Sequence, residues 1–445
     1  MSTARRPFTE VDVAAAVQAI YGVEWTKVSA PACTRIGAAS NMTAAVGADM
    51  TAAVNDFDGV YPWSDIQDVT DTLGNVFVRI PKFYIRKTDG VALSRIEISR
   101  TKYPGFYLPA CFYDFANGAE LPHFDYGKHL GSLDGSVLAS KPAVFPLVSK
   151  NIVDFRGYAQ ANGVGYQQLD IHAHDALAAL FTVEFATLHS QAILAGFTSG
   201  QYNAAHVATA TEAAVNRIVV ANATADLFRV GQSIDIGTSL GGRQVATNRL
   251  ITSIDVVDAS NKAISFDGAP VSVTAGNIVY NVGWKCGFSS GIASSSGYIT
   301  ANDGKYPCAY RGIESPWGDT WQFVDGVNIN EYQAWVCDDA SQYASNLFSA
   351  PYEQLGYLNG TVDGYISALG FDAAHPYAQL PTAIVANGAS SYYADYYYRA
   401  TGQRIAIVGG SWYSGSAAGL RLWSLNVGST NANLTFGGRL LRKAL

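Results

Sequence analysis

The sequence predicts an α+β chain, rich in strand and loop, with a small all-β barrel or sandwich inserted in it. Three observations carry that expectation. Only 15% of the 445 residues are charged, while glycine (43), tyrosine (26) and tryptophan (8) are abundant. Globular domains average about 25% charged residues, so the composition favours loop and β structure. One stretch, Asp175 to Gly196, has helical spacing. A second stretch, residues 201–283, reads as a run of short strands.

Taken in order, residues 9–21 predict a short helix, capped by Thr9 with Asp12 at the capping-box position. Val76–Ile80 and Phe83–Arg86 read as strands with Pro81 between them. Residues 101–150 are rich in turn formers and aromatics. Asp175 is the expected cap of the main helix. Leu177, Leu180, Phe181, Glu184, Phe185 and Leu188 follow at helical spacing, and Gly196 is the expected stop. Its apolar arc is wide, so the helix should be buried. In the insertion, strands are expected at 217–221, 232–236, 249–257, 263–266 and 277–280, with a hairpin turn at Asp258–Lys262.

The net charge of −7 argues against a nucleic-acid partner. The charge is uneven, however. No acid follows Tyr396, and Arg399, Arg404, Arg421, Arg439, Arg442 and Lys443 lie there. Such an end favours an anionic partner on one reading and structural arginines on the other. The five cysteines include no CxxC pair, which points to reduced thiols rather than a disulfide framework. No apolar run suits a membrane span, and the first residues lack the apolar core of a signal peptide. Membrane insertion is not expected. A role outside the cell implies release by lysis or within a particle.

Gly287–Gly291 matches GxSxG, but no helix is expected after Ser289, which the nucleophile elbow requires. His172 and His174 are two apart, a spacing that puts both on one face of a strand, but the sequence offers no third metal ligand. No catalytic residue, metal or cofactor is expected. Tyr392, Tyr393, Tyr396, Tyr397 and Tyr398 cannot all face inward on one strand. They form a core or subunit-contact strand on one reading and a binding surface on the other.

The ending is the most specific stretch. It contains Gly409-Gly-Ser-Trp412, Gly415-Ser-Ala-Ala-Gly419, Trp423-Ser-Leu-Asn426, Ser429-Thr-Asn-Ala-Asn433 and Gly437-Gly-Arg439. It resembles the variable proteins of diversity-generating retroelements, among them phage tail receptor-binding proteins. Ala178–Gln191, Tyr310–Gly326 and Val78–Tyr84 resemble other parts of that family. The resemblance implies a C-type-lectin-like fold of the formylglycine-generating-enzyme type. No cysteine follows Cys337, so that enzyme's oxidase chemistry has no matching residues and an enzyme is not expected.

By the same resemblance, residues 1–100 form a docking region. The lectin-like domain spans 101–200 and 284–445 around the 201–283 insertion, with a variable binding segment at 390–445. Its receptor-facing residues are Tyr413, Ser414 and Ser416 in a first loop, then Arg421, Leu422, Ser424 and Val427 in a second. Trp423 and, from the tyrosine cluster, Tyr396 and Tyr398 complete the set. Gly410, Trp412, Gly415, Gly419 and Arg439 match scaffold positions. Leu420 and Leu422 alternate with Arg421 and Trp423 as in a half-buried strand.

The expected function is host attachment from a virion tail tip, by a homotrimer assembled in the host cytoplasm. Its partners would be a host cell-surface receptor, protein or glycan, and other tail proteins. A structural tail or baseplate component and a cellular surface-display protein are the alternatives.

Overall fold

A computed structural model describes residues 19–445. Its strands hold 38% of the chain and its helices 12%, which overturns the α+β, C-type-lectin-like expectation. The chain is a mainly β protein of many small and curled sheets. The physical reason is that, among the described residues, only two α-helices are longer than four residues, Ile152–Gln160 and Ile171–Phe185. The segments around them satisfy their backbone groups by pairing with strands far away in the chain. The helix expected at 9–21 lies mostly outside the described residues, and from Ile20 the chain is already in the strand Ile20–Thr26. That strand pairs with both Cys33–Gly37 and Leu93–Ser99.

Ile171–Phe185 is the central helix. Every residue but Ala178 is buried. Its N-cap is Asp170, which accepts the Ala173 N–H at 2.8 Å, and not Asp175. Asp175 sits inside the helix, where Lys87 and the Tyr107 hydroxyl take its two oxygens. The helix ends at Ala186, in the left-handed conformation with φ 48°. Gly196 instead makes a turn against Trp317, after the short helix Ser190–Ile193.

A nine-stranded sheet carries the C-terminal half. Its order is Glu353–Leu358, Gln333–Val336, Trp321–Asn330, Gln403–Gly409, Gly419–Val427, Tyr396–Arg399, Gly364–Leu369 and Pro381–Val385, with Phe436–Gly437 beside Trp321. The last strand, Leu440–Lys443, leaves this sheet and inserts between Tyr166–Gln168 and His123–Gly127. The C-terminus is thereby woven into a five-stranded sheet that also contains Val76–Pro81.

Between residues 206 and 281 lies a separate six-stranded sheet with its own core of Ile218, Val220, Phe228, Ile234, Ile236, Ile251, Ile264, Phe266 and Val279. A bridge between Ala208 and Val220 joins its two outermost strands, so the sheet curls on itself. The ends of this unit are tied together: the Gln201 N–H donates to Asn281 Oδ1 and the Asn281 N–H to the Gln201 carbonyl, each at 2.7 Å.

Candidate functional site

The tyrosine run is sorted by the pleat of its strand. In Tyr396–Arg399, Tyr397 points into the core around the central helix and is buried, whereas Tyr396 and Tyr398, on the opposite face, are half-buried against the cluster of Trp321 and Leu422. Their rings stand 4.6 Å apart. Tyr365 is the cross-strand partner of Tyr396, and their rings meet edge to face at 5.0 Å. Such cross-strand aromatic pairs each contribute up to about 1 kcal/mol to a sheet. Trp321 abuts the other side of Tyr398 at 6.2 Å. Burial, followed by the neighbouring Tyr396, Tyr413, Asp363 and Tyr365, pushes the Tyr398 phenol up.

The first loop reaches this face. Tyr413 is 38% exposed, and its ring lies 5.1 Å from that of Tyr202, at the neck of the inserted unit. Ser416 is exposed, and its hydroxyl lies 3.1 Å from the Tyr365 hydroxyl. Ser414 is half-buried, and its Oγ accepts the Ser411 N–H at 2.9 Å, which holds the turn. Behind it Trp412 is fully buried, and Gly409 and Gly410 take φ of 87° and 82°, a region that disfavours side chains. The result is a row of tyrosines, Tyr365, Tyr396, Tyr398 and Tyr413, on rigid strands and a pinned turn. Rigid aromatic anchors lose little entropy on binding.

The second expected loop is corrected. Arg421, Leu422, Trp423, Ser424 and Val427 are all buried, Arg421 being only 6% exposed. Gly419–Val427 is an interior strand of the large sheet, flanked by Gln403–Gly409 and Tyr396–Arg399. The central helix covers one face: Thr182 receives the Arg421 guanidinium, and the His174 ring meets Trp423 at 5.2 Å. Leu422 and Val427 pack in the cluster with Phe323 and Ile407. Eight of the strand's nine residues are buried, all but Asn426, so it is not the half-buried strand expected, and these five residues lie beneath the face rather than on it. Sequence reasoning missed Tyr365, Tyr202 and Trp321, whose local sequence carries no sign that the fold gathers them here.

The basic ending is also mostly internal. Arg439 and Arg421 are buried, and Lys443 donates to the Ala110 and Tyr113 carbonyls at 2.9 and 3.1 Å. Arg442 joins Arg79 on Asp125. Arg399, Arg404 and Arg442 stay partly exposed, Arg399 lying 3.8 Å from Asp363 and Arg442 held by Asp125. The structural reading of these cations accounts for four of the six.

The other motifs fall away from this face. Ser289 lies in the short 3-10 turn Phe288–Gly291, which no helix follows. His172 and His174 are on the central helix, not on a strand. His172 Nε2 is 3.2 Å from Asp338, and burial lowers the His174 pKa to about 3.

Beneath the tyrosine row, Asp395 is fully buried and accepts the Arg421 backbone N–H at 2.6 Å. A Cβ on Gly419 would sit 2.0 Å from Asp395 Oδ1, so only glycine fits there. Burial raises the Asp395 pKa to about 8, against the lowering effect of Arg421. In the unfolded chain the carboxyl releases its proton near pH 4, so its contribution to stability is full below that pH. It is lost as pH rises through about 8. We expect the urea midpoint to fall between about pH 5 and pH 8, and Asp395→Asn to flatten that slope. Asp319, also raised to about 8 by burial, keeps the remainder. Equal slopes for variant and parent in the same titration would contradict this.

No protein-family model matches the sequence, and no curated protein is significantly similar to it.

Proposed function

We propose that this chain is a receptor-binding protein of a phage tail and attaches the virion to its host through the tyrosine row. The observation that carries the reading is that row: four partly exposed tyrosines on a fixed backbone, with Ser414 and Ser416 beside them. Tyrosine is enriched among residues that dominate binding energy, and serine supplies adaptable hydrogen bonds. The resemblance of Gly409–Arg439 to retroelement variable proteins supports the same reading. On it the partner is a host cell-surface receptor, protein or glycan. The protein works as a homotrimer at the tail tip, held there by other tail proteins through its first hundred residues.

The test is the combined variant Tyr396→Ala, Tyr398→Ala and Tyr413→Ala. Removing a tyrosine anchor typically costs about 2 kcal/mol, so the three together should weaken binding to host cells by about 100-fold or more. Competition of purified protein against virion adsorption measures it, with the melting temperature as a control for folding. Undiminished competition by a folded variant would overturn the assignment.

A further inference from the structure

Behind the tyrosine row is a small cavity of about 30 Å³, lined among others by Lys87, His174, Asp175, Tyr377, Arg421 and Trp423. Its charges do not balance within the protein. Lys87 and Asp175 are both buried and neutralise each other, and the second Asp175 oxygen accepts the Tyr107 hydroxyl. Arg421 has no such partner. Its Nη2 donates to the uncharged Thr182 hydroxyl, and its guanidinium lies 5.8 Å from the centre of the Tyr393 ring. Its Nη1 is buried and has no acceptor among the described residues. Nor does Arg421 form an ion pair among them; the nearby Asp395 bonds its backbone N–H instead. Burial pushes the Asp395 carboxyl up to about 8 and the His174 imidazole down to about 3, and neither forms an ion pair with the Arg421 guanidinium.

A buried guanidinium without a counter-charge is among the costliest arrangements a protein can hold. A cavity of this volume exceeds the 10–15 Å³, roughly, that one water-sized occupant needs, but it is too small for a sugar or a phosphate. We infer that this cavity is a binding site for a small monovalent anion of the halide class, chloride in solution, held by Arg421 with the Lys87 ammonium nearby. The ion neutralises the one unpaired cation of the cluster and fills the space between the central helix and the Gly419–Val427 strand. It therefore stiffens the strand that lies next to Tyr396–Arg399. The inference stands on Arg421 and its cavity, independently of the attachment function.

The experiment compares thermal unfolding of the full chain in sodium chloride, sodium bromide and sodium gluconate at equal ionic strength. An anion that binds only the folded state raises the midpoint with the logarithm of its concentration. Chloride and bromide should raise the midpoint by several degrees over gluconate, and Arg421→Gln should abolish the difference. Crystals of the parent protein grown in bromide should show an anomalous peak in contact with the Arg421 guanidinium. This measurement decides the matter even if the variant does not fold. Equal midpoints in all three salts, or a water at that position in the bromide crystals, would overturn the site and leave an ionised Asp395 as the counter-charge.

Discussion

Replacing Arg439 by methionine should destabilise the protein by about 4 kcal/mol or more, the largest effect expected of any single substitution in the C-terminal segment. Arg439 is 0% exposed. Its Nε donates to Gln322 Oε1 at 2.8 Å, Nη1 to the Gly127 and Lys128 carbonyls at 2.9 and 3.2 Å, and Nη2 to the Glu314 and Ser315 carbonyls, both at 2.8 Å. One side chain thus satisfies acceptors on three separate segments, next to the point where Leu440–Lys443 enters the five-stranded sheet. Methionine fills similar space but removes all five hydrogen bonds; the Lys128 carbonyl keeps the Glu314 N–H at 2.9 Å, and each buried acceptor left without a donor costs about 1–3 kcal/mol before relaxation. Arg439→Lys keeps the charge, but an ammonium has three donors and no planar fork, so it should still cost about 2 kcal/mol. Urea denaturation followed by tryptophan fluorescence measures both. A lysine variant as stable as the parent would show that charge, and not the fork, holds the C-terminus.

Arg439 also shows what a sequence can and cannot convey. As a residue type it belongs on the surface, because arginine is rarely fully buried without partners. Its burial depends on carbonyls more than 100 positions away, as for Gly127, |i−j| = 312. Arg421 misled in the same way. Its strand reads as alternating, yet an interior strand covered on both faces has no solvent side for the alternation to mark. By contrast, the sorting of Tyr396, Tyr397 and Tyr398 follows from the pleat alone, so it was legible. Five of the six strands between residues 217 and 281 were legible too, because β-branched runs separated by turns need no distant information; the short Val271–Val273 was not among them. The central helix lies between these cases. Its existence is periodic and local, but Asp170 and Asp175 are equally good caps by type. Only Lys87, 88 residues away, makes Asp175 an interior ion-pair partner. The weight of β structure escaped for the same reason: Ile20–Thr26 is a strand because Leu93–Ser99 pairs with it.

The second large effect is expected at Glu184, the penultimate residue of the central helix. Glu184 is 0% exposed and has four donors around it. Arg311 Nη2 lies at 2.6 Å and its Nε at 3.1 Å, the Tyr310 hydroxyl at 2.8 Å and Asn55 Nδ2 at 2.7 Å. Burial acts to lower the Arg311 pKa, but Glu184 outweighs it and the net shift is upward, so the guanidinium stays charged inside the protein. Glu184→Ala should cost about 3–5 kcal/mol, because it strands that cation. Asp58, whose carboxylate lies 2.6 Å from Arg311 Nη1, cannot replace the lost partner fully, since it is itself 44% exposed and partly hydrated. Glu184→Gln preserves shape and one acceptor and should lose roughly half as much. The decisive comparison is the double variant Glu184→Leu with Arg311→Met. It removes both charges at once, so it should be more stable than Glu184→Ala alone. If the double variant is instead the least stable of the three, the cluster holds the Asn55 turn and the central helix together through its hydrogen bonds, and charge compensation is secondary.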